Sequence, residues 1–175
     1  MDNRVIDEKI IEPSIDPKTK KIAVRSLFAH NDGGTRTEIR IRDFPVLATD
    51  EPSSLGGTNT APSPLETALA SLVGCDGVII NGVAKAMDFS YESVDFKCES
   101  EIDVRGPKGV PGIRPFFQRC SLDIIVTSDE SDGRFEQLIK NVEFRCPVMN
   151  LFRSAGVEME VNWSIQPTNG LSKNI

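Results

Sequence analysis

The chain has 175 residues, enough for one compact α/β domain with a genuine core, and its 39% hydrophobic and 26% charged residues describe a globular rather than a disordered or fibrous protein. A net charge of −6 with no Lys/Arg stripe and interleaved aromatics would be repelled by a phosphate backbone, so nucleic-acid binding is not expected. No apolar run approaches roughly 18 residues and the acidic start lacks an apolar h-region, so no membrane span and no secretory leader are expected, and the default location is cytoplasmic.

Residues 1–20, with Pro13, Pro17 and many charges, read as a peripheral N-terminal arm, and residues 21–175 as a single domain. Partial alternation over Lys21–Phe28 predicts a strand. Asn31-Asp32-Gly33-Gly34 then predicts a turn, because Asn, Asp and Gly tolerate positive φ. Thr37–Arg42 alternates again, completing a hairpin whose chain can continue as strand over Phe44–Leu47. The segment Asp50–Pro62 is a loop rich in Gly and Pro. It lacks a Walker Lys-Ser/Thr ending, so a phosphate cradle is a weak reading.

A long helix is predicted next. Ser63 can cap it, Pro64 suits its first position, and Glu66 three residues on completes a capping box. Leu65, Leu69, Leu72, Val73, Val78, Ile79, Ile80 and Val83 fill much of its circumference to an end near Met87, so burial on several sides is expected. Gly74, Gly77 and Gly82 each cost roughly 1 kcal/mol relative to Ala inside a helix. Close approach of another backbone is the usual compensation. Downstream, Val94, Phe96, Cys98, Ser100, Ile102 and Val104 share one strand parity, and Gly106–Gly112 make a turn. A second strand carries Phe116, Cys120, Leu122, Ile124 and Val126 on one parity. Short helices are predicted over Ser131–Lys140 and Pro147–Ala155, the latter stopped by Gly156. Val157–Ile165 is the cleanest alternating strand.

The cysteines at 75, 98, 120 and 146 form no C-x-x-C pair and no disulfide scaffold, and the lone histidine, His30, sits in a turn-like run. Neither a zinc site nor a His-based nucleophilic site is supported, and no metal or cofactor is expected. Cys98 and Cys120 share the apolar face of their strands and read as small hydrophobes. Cys146 precedes Pro147 at a helix start, where the macrodipole and free N–H groups favour a thiolate, with Arg145 adjacent. Cys75 sits mid-helix between Gly74 and Gly77. A packed core role and an accessible sulfur both fit it.

Three blocks carry a resemblance: Asp50-Glu51-Pro52 with Gly56-Gly57-Thr58; Pro62 to Cys75, a Pro-initiated Ala/Leu-rich helix running into Cys; and Cys146-Pro147-Val148-Met149-Asn150-Leu151. In their order and content they resemble the OsmC/Ohr family, specifically its OsmC-like branch. The resemblance implies an α+β fold. It also implies an intertwined homodimer whose antiparallel sheets wrap two long central helices, the partner's helix then accounting for the glycines around Cys75. It further implies a thiol-dependent peroxidase for organic hydroperoxides, and also hydrogen peroxide, in which Cys75 attacks the peroxide and Cys146 resolves the sulfenic acid as a disulfide. An external dithiol, such as a lipoylated protein, would restore the thiols. An Arg of the N-terminal hairpin, first Arg36 and behind it Arg40 and Arg42, would stabilise the thiolate. At an unperturbed pKa near 8.5 only about 3% of a thiol is ionised at pH 7. The family acid that holds this Arg follows the helix-start Pro, where this chain has Leu65. Glu66, Asp50 or Glu51 are the available substitutes. Leu72, Ile79 and Phe152 would line an apolar pocket. The alternative is a non-catalytic dimeric protein binding a small apolar ligand there.

Overall fold

The computed structural model describes residues 18–168, so the arm predicted over 1–20 lies almost wholly outside the described residues. The chain divides into two compact units, one ending at Ser71 and the other beginning at Leu72.

The first unit carries a three-stranded antiparallel sheet in the order β1 (Phe28–His30), β2 (Thr37–Arg40), β3 (Leu47–Thr49), with Ala29 opposite Ile39 and Glu38 opposite Ala48. The first strand starts later than its apolar alternation predicts. Ile22, Val24 and Leu27 are exposed, so pairing upstream of Phe28 would bury none of them. The turn forms as expected. The Asn31 side chain accepts from the Gly33 N–H at 2.7 Å and donates to the carbonyls of Gly34 and Arg36, while Gly33 takes a φ of 96°.

The Gly/Pro-rich loop closes on Asp50, which is fully buried. Its carboxylate accepts from the Thr35 hydroxyl, the Glu51 and Thr60 N–H groups, and both the N–H and hydroxyl of Thr58. These bonds hold it far below the ordinary carboxylate range, the Thr58 and Thr35 hydroxyls contributing most. Gly57 passes so near the Glu51 carbonyl that a Cβ would collide with it.

Helix α1 spans Pro64–Met87. Its start is the predicted capping box: the Ser63 N–H donates to Glu66 Oε2 at 2.7 Å, and the Glu66 N–H donates to Ser63 Oγ at 3.2 Å.

The second unit holds β4 (Ser93–Glu101), β5 (Arg119–Thr127) and β6 (Glu158–Gln166) in that order, β4–β5 antiparallel and β5–β6 parallel. A parallel return needs a crossover, supplied by α2 (Asp132–Arg145) and α3 (Pro147–Ser154). Central β5 buries Cys120, Leu122, Ile124 and Val126 completely, while the outer strands alternate half-buried and exposed positions at the parity read from their sequence. Leu72, Ile80 and Val83 of α1, Leu138 and Val142 of α2, and Met149 of α3 complete the core. Helix α2 continues past the predicted end at Lys140. Asn141, polar by type but buried, extends its inner stripe by donating to the Gln137 carbonyl and accepting from Arg145.

Candidate dithiol site

Cys146 is the junction of two helices, closing α2 and capping α3, with Pro147 at the first helical position. Its N–H donates to the Val142 carbonyl at 2.9 Å, and its sulfur accepts from the Met149 N–H at 3.4 Å. This cap places a fully buried sulfur beside the middle of α1, where Cys75 and Asp76 stand. Two cysteines far apart in sequence thereby become neighbours within one unit. Cys75 itself is half-buried.

Asp76 is fully buried and neither carboxylate oxygen has a hydrogen-bond partner. Burial pushes its carboxyl up to about 6. The Cys146 thiol and the Arg153 charge pull the other way, and Glu143 adds to the rise. Arg153 is fixed by Glu143 through a 2.7 Å ion pair, and the Trp163 indole N–H steadies Glu143 at 3.1 Å.

The structure corrects one expectation about Cys146. Its helix-start position was expected to favour a thiolate, but burial first, and then the Asp76 carboxylate, drive its pKa well above the ordinary thiol value. The Met149 N–H opposes this and does not prevail. Losing the hydration of a sulfur anion outweighs one peptide N–H. Arg145 contributes no charge to the sulfur as a direct partner; its guanidinium bonds Asn141 Oδ1 at 3.0 Å. Cys146 is thus stored as a neutral thiol.

Arg36 and Glu66 belong to the other unit, each with local partners. Arg36 donates to Thr60 Oγ1 at 2.8 Å and lies 3.6 Å from Glu38, and Thr60 Oγ1 in turn bonds Asp50. Glu66 is engaged by Ser63, and no Arg36–Glu66 ion pair exists among the described residues. Of the residues expected to line a pocket, Leu72 and Phe152 are buried in the core and Ile79 is half-buried. His30 pairs with Asp32 at the exposed surface.

The OsmC-like protein family model matches residues 57–162, more than half of the chain. The chain belongs to the OsmC-like family. An OsmC-like protein from Mycoplasma pneumoniae superposes with a TM-score of 0.67 at 17% identity, covering 84% of this chain and 99% of that one. An organic hydroperoxide resistance protein OsmC from Legionella pneumophila gives 0.61 at 22% identity, covering 84% and 99%. An organic hydroperoxide resistance protein from Elizabethkingia anophelis gives 0.60 at 18% identity, covering 86% and 100%. Among curated proteins none matches. At such identities the likeness fixes the α+β OsmC-like fold.

Asp76 and the Arg153–Glu143 pair were missed in the sequence. A signal for Asp76 was present: Leu72, Asp76 and Ile80 fall at i, i+4, i+8 on the stripe that continues to Val83 and Ala84, so a carboxylate had to be buried there. Nothing in the sequence pairs Arg153 with Glu143, because that contact depends on how α3 turns back on α2.

Proposed function

We propose that this OsmC-like protein is a thiol-dependent peroxidase for organic hydroperoxides. The observation that carries the reading is the adjacency of Cys75, Cys146 and the buried Asp76 carboxylate. Cys75 as thiolate attacks the outer peroxide oxygen; the O–O bond breaks, the alcohol leaves after taking up a proton, and Cys75 becomes a sulfenic acid. Cys146 then attacks the Cys75 sulfur, forming the disulfide and expelling water. Asp76, with a carboxyl near 6, is ionised at neutral pH and is the group placed to accept the Cys146 proton in that step. An external dithiol, of which a lipoylated protein is an example, returns both thiols by exchange. A reducing cytoplasm suits this cycle. Arg36 enters by family pattern alone, and Glu66 as a substitute for the family acid one residue past its position.

The proposed assembly is the intertwined homodimer. Gly74, Val78 and Gly82 form one exposed stripe of α1, with open space at both glycines where the partner's helix would pack.

One observation favours the alternative of a non-catalytic protein binding a small apolar ligand. Leu65 stands where the family's peroxidases carry an acid, and Glu66 is committed to the helix cap. Variants separate the two readings. Cys75→Ser is expected to abolish cumene hydroperoxide consumption, and Cys146→Ser to leave a single turnover with a sulfenic acid that dimedone traps. Consumption by Cys75→Ser at the parental rate would refute the peroxidase.

A further inference from the structure

Cys98 and Cys120 lie outside the reaction just described, and their sulfurs are 3.7 Å apart. The β4–β5 register sets Cys98 opposite Leu122 and Cys120 opposite Ser100, so the two cysteines are diagonal neighbours on adjacent antiparallel strands. Diagonal side chains on one sheet face remain within reach of each other. That face is the one turned toward α1, because Phe96, at the same parity as Cys98, touches the space a Cβ on Gly77 would fill. Cys120 is fully buried, whereas Cys98, on an outer strand, is half-buried.

We propose that Cys98 and Cys120 are a second redox couple, which closes to a cross-strand disulfide by exchange with a small-molecule disulfide of the glutathione class. The sulfurs need to close by a little under 2 Å to reach the ~2.05 Å bond. Diagonal positions on neighbouring strands lie about 7–8 Å apart, at the limit of what a disulfide spans, so closure takes side-chain rotation together with a small inward shift of outer strand β4. Cys98, the less buried of the two, attacks one sulfur of the reagent as a thiolate; an S–S bond forms to Cys98 and the first small thiolate leaves. Cys120 as thiolate then attacks the Cys98 sulfur, forming the protein disulfide and releasing the second small thiolate. The two protein protons end on the two released thiols, and two electrons pass from protein to reagent. The two sulfurs are within hydrogen-bonding reach and either can donate, so the S–H of one stabilises a thiolate on the other.

This couple is independent of the peroxidase reading, and its test is built so that either can fail alone. The reduced full-length chain and its Cys75→Ser/Cys146→Ser variant are equilibrated with oxidised glutathione under native conditions. Remaining thiols are then blocked with N-ethylmaleimide in denaturant and the peptides mapped without reduction. A Cys98–Cys120 linked peptide, two hydrogens lighter than the reduced pair, is expected in both proteins. It should be accompanied by a rise in thermal midpoint of roughly 5–10 °C. If the double variant does not fold, the wild-type map decides, because the two cysteine pairs fall on different peptides. Maleimide on both Cys98 and Cys120, or Cys98 halted as a glutathione mixed disulfide, would overturn the proposal.

Discussion

Asp76 is fully buried with neither carboxylate oxygen hydrogen-bonded, and this has a thermodynamic signature. Its carboxyl is raised from an ordinary value of 3.8 to about 6. The folded chain therefore prefers the protonated form. The associated stability is complete below about pH 4 and is lost as pH rises through about 6. Asp76→Asn removes this titration, so its stability relative to the parent is expected to grow by on the order of 2 kcal/mol between pH 4 and pH 7. Urea unfolding at the two pH values reads the difference, and a gap independent of pH would show that Asp76 is not raised. The same substitution should slow disulfide formation while leaving sulfenic acid formation intact, which a loss of packing alone would not do. The motifs that flank Cys75 and Cys146 are local and legible in the sequence, whereas the residues alone leave Cys75 open between a packed core role and an accessible sulfur. The Asp76 carboxylate beside Cys146 was hidden behind the apolar average of its helix, and the high pKa of Cys146 follows from burial, which no local motif reveals.

Among elements, α1 was the most readable, since its beginning is decided by contacts three residues apart. Ser63→Ala removes one half of the reciprocal cap and is expected to cost about 1 kcal/mol in urea unfolding. No change would mean that tertiary packing alone fixes the helix start. The β4, β5 and β6 parities were equally plain, because a period of two shows directly which residues face the core. The first strand and the end of α2 were misjudged for opposite reasons. Ile22 and Val24 alternate without being buried, whereas Asn141 is buried without being apolar. Hydrophobic pattern reports burial only when side chain and environment agree.

For the whole molecule, α1 is long and apolar enough to cross a membrane by length and composition, yet it leaves Val78 and Leu65 exposed. Asp76 at its centre and its place in the OsmC-like fold point instead to another protein surface, the second copy proposed above. Light scattering should give twice the chain mass, and Val78→Lys, which sets a charge in the exposed stripe between Gly74 and Gly82, should shift the population toward monomer. A parent that is monomeric at micromolar concentration would rule out that assembly. Whether Cys75 and Cys146 act as one redox pair is read most directly by a non-reducing peptide map after one equivalent of cumene hydroperoxide. A Cys75–Cys146 linked peptide is the expected result; both cysteines recovered as free thiols would contradict it.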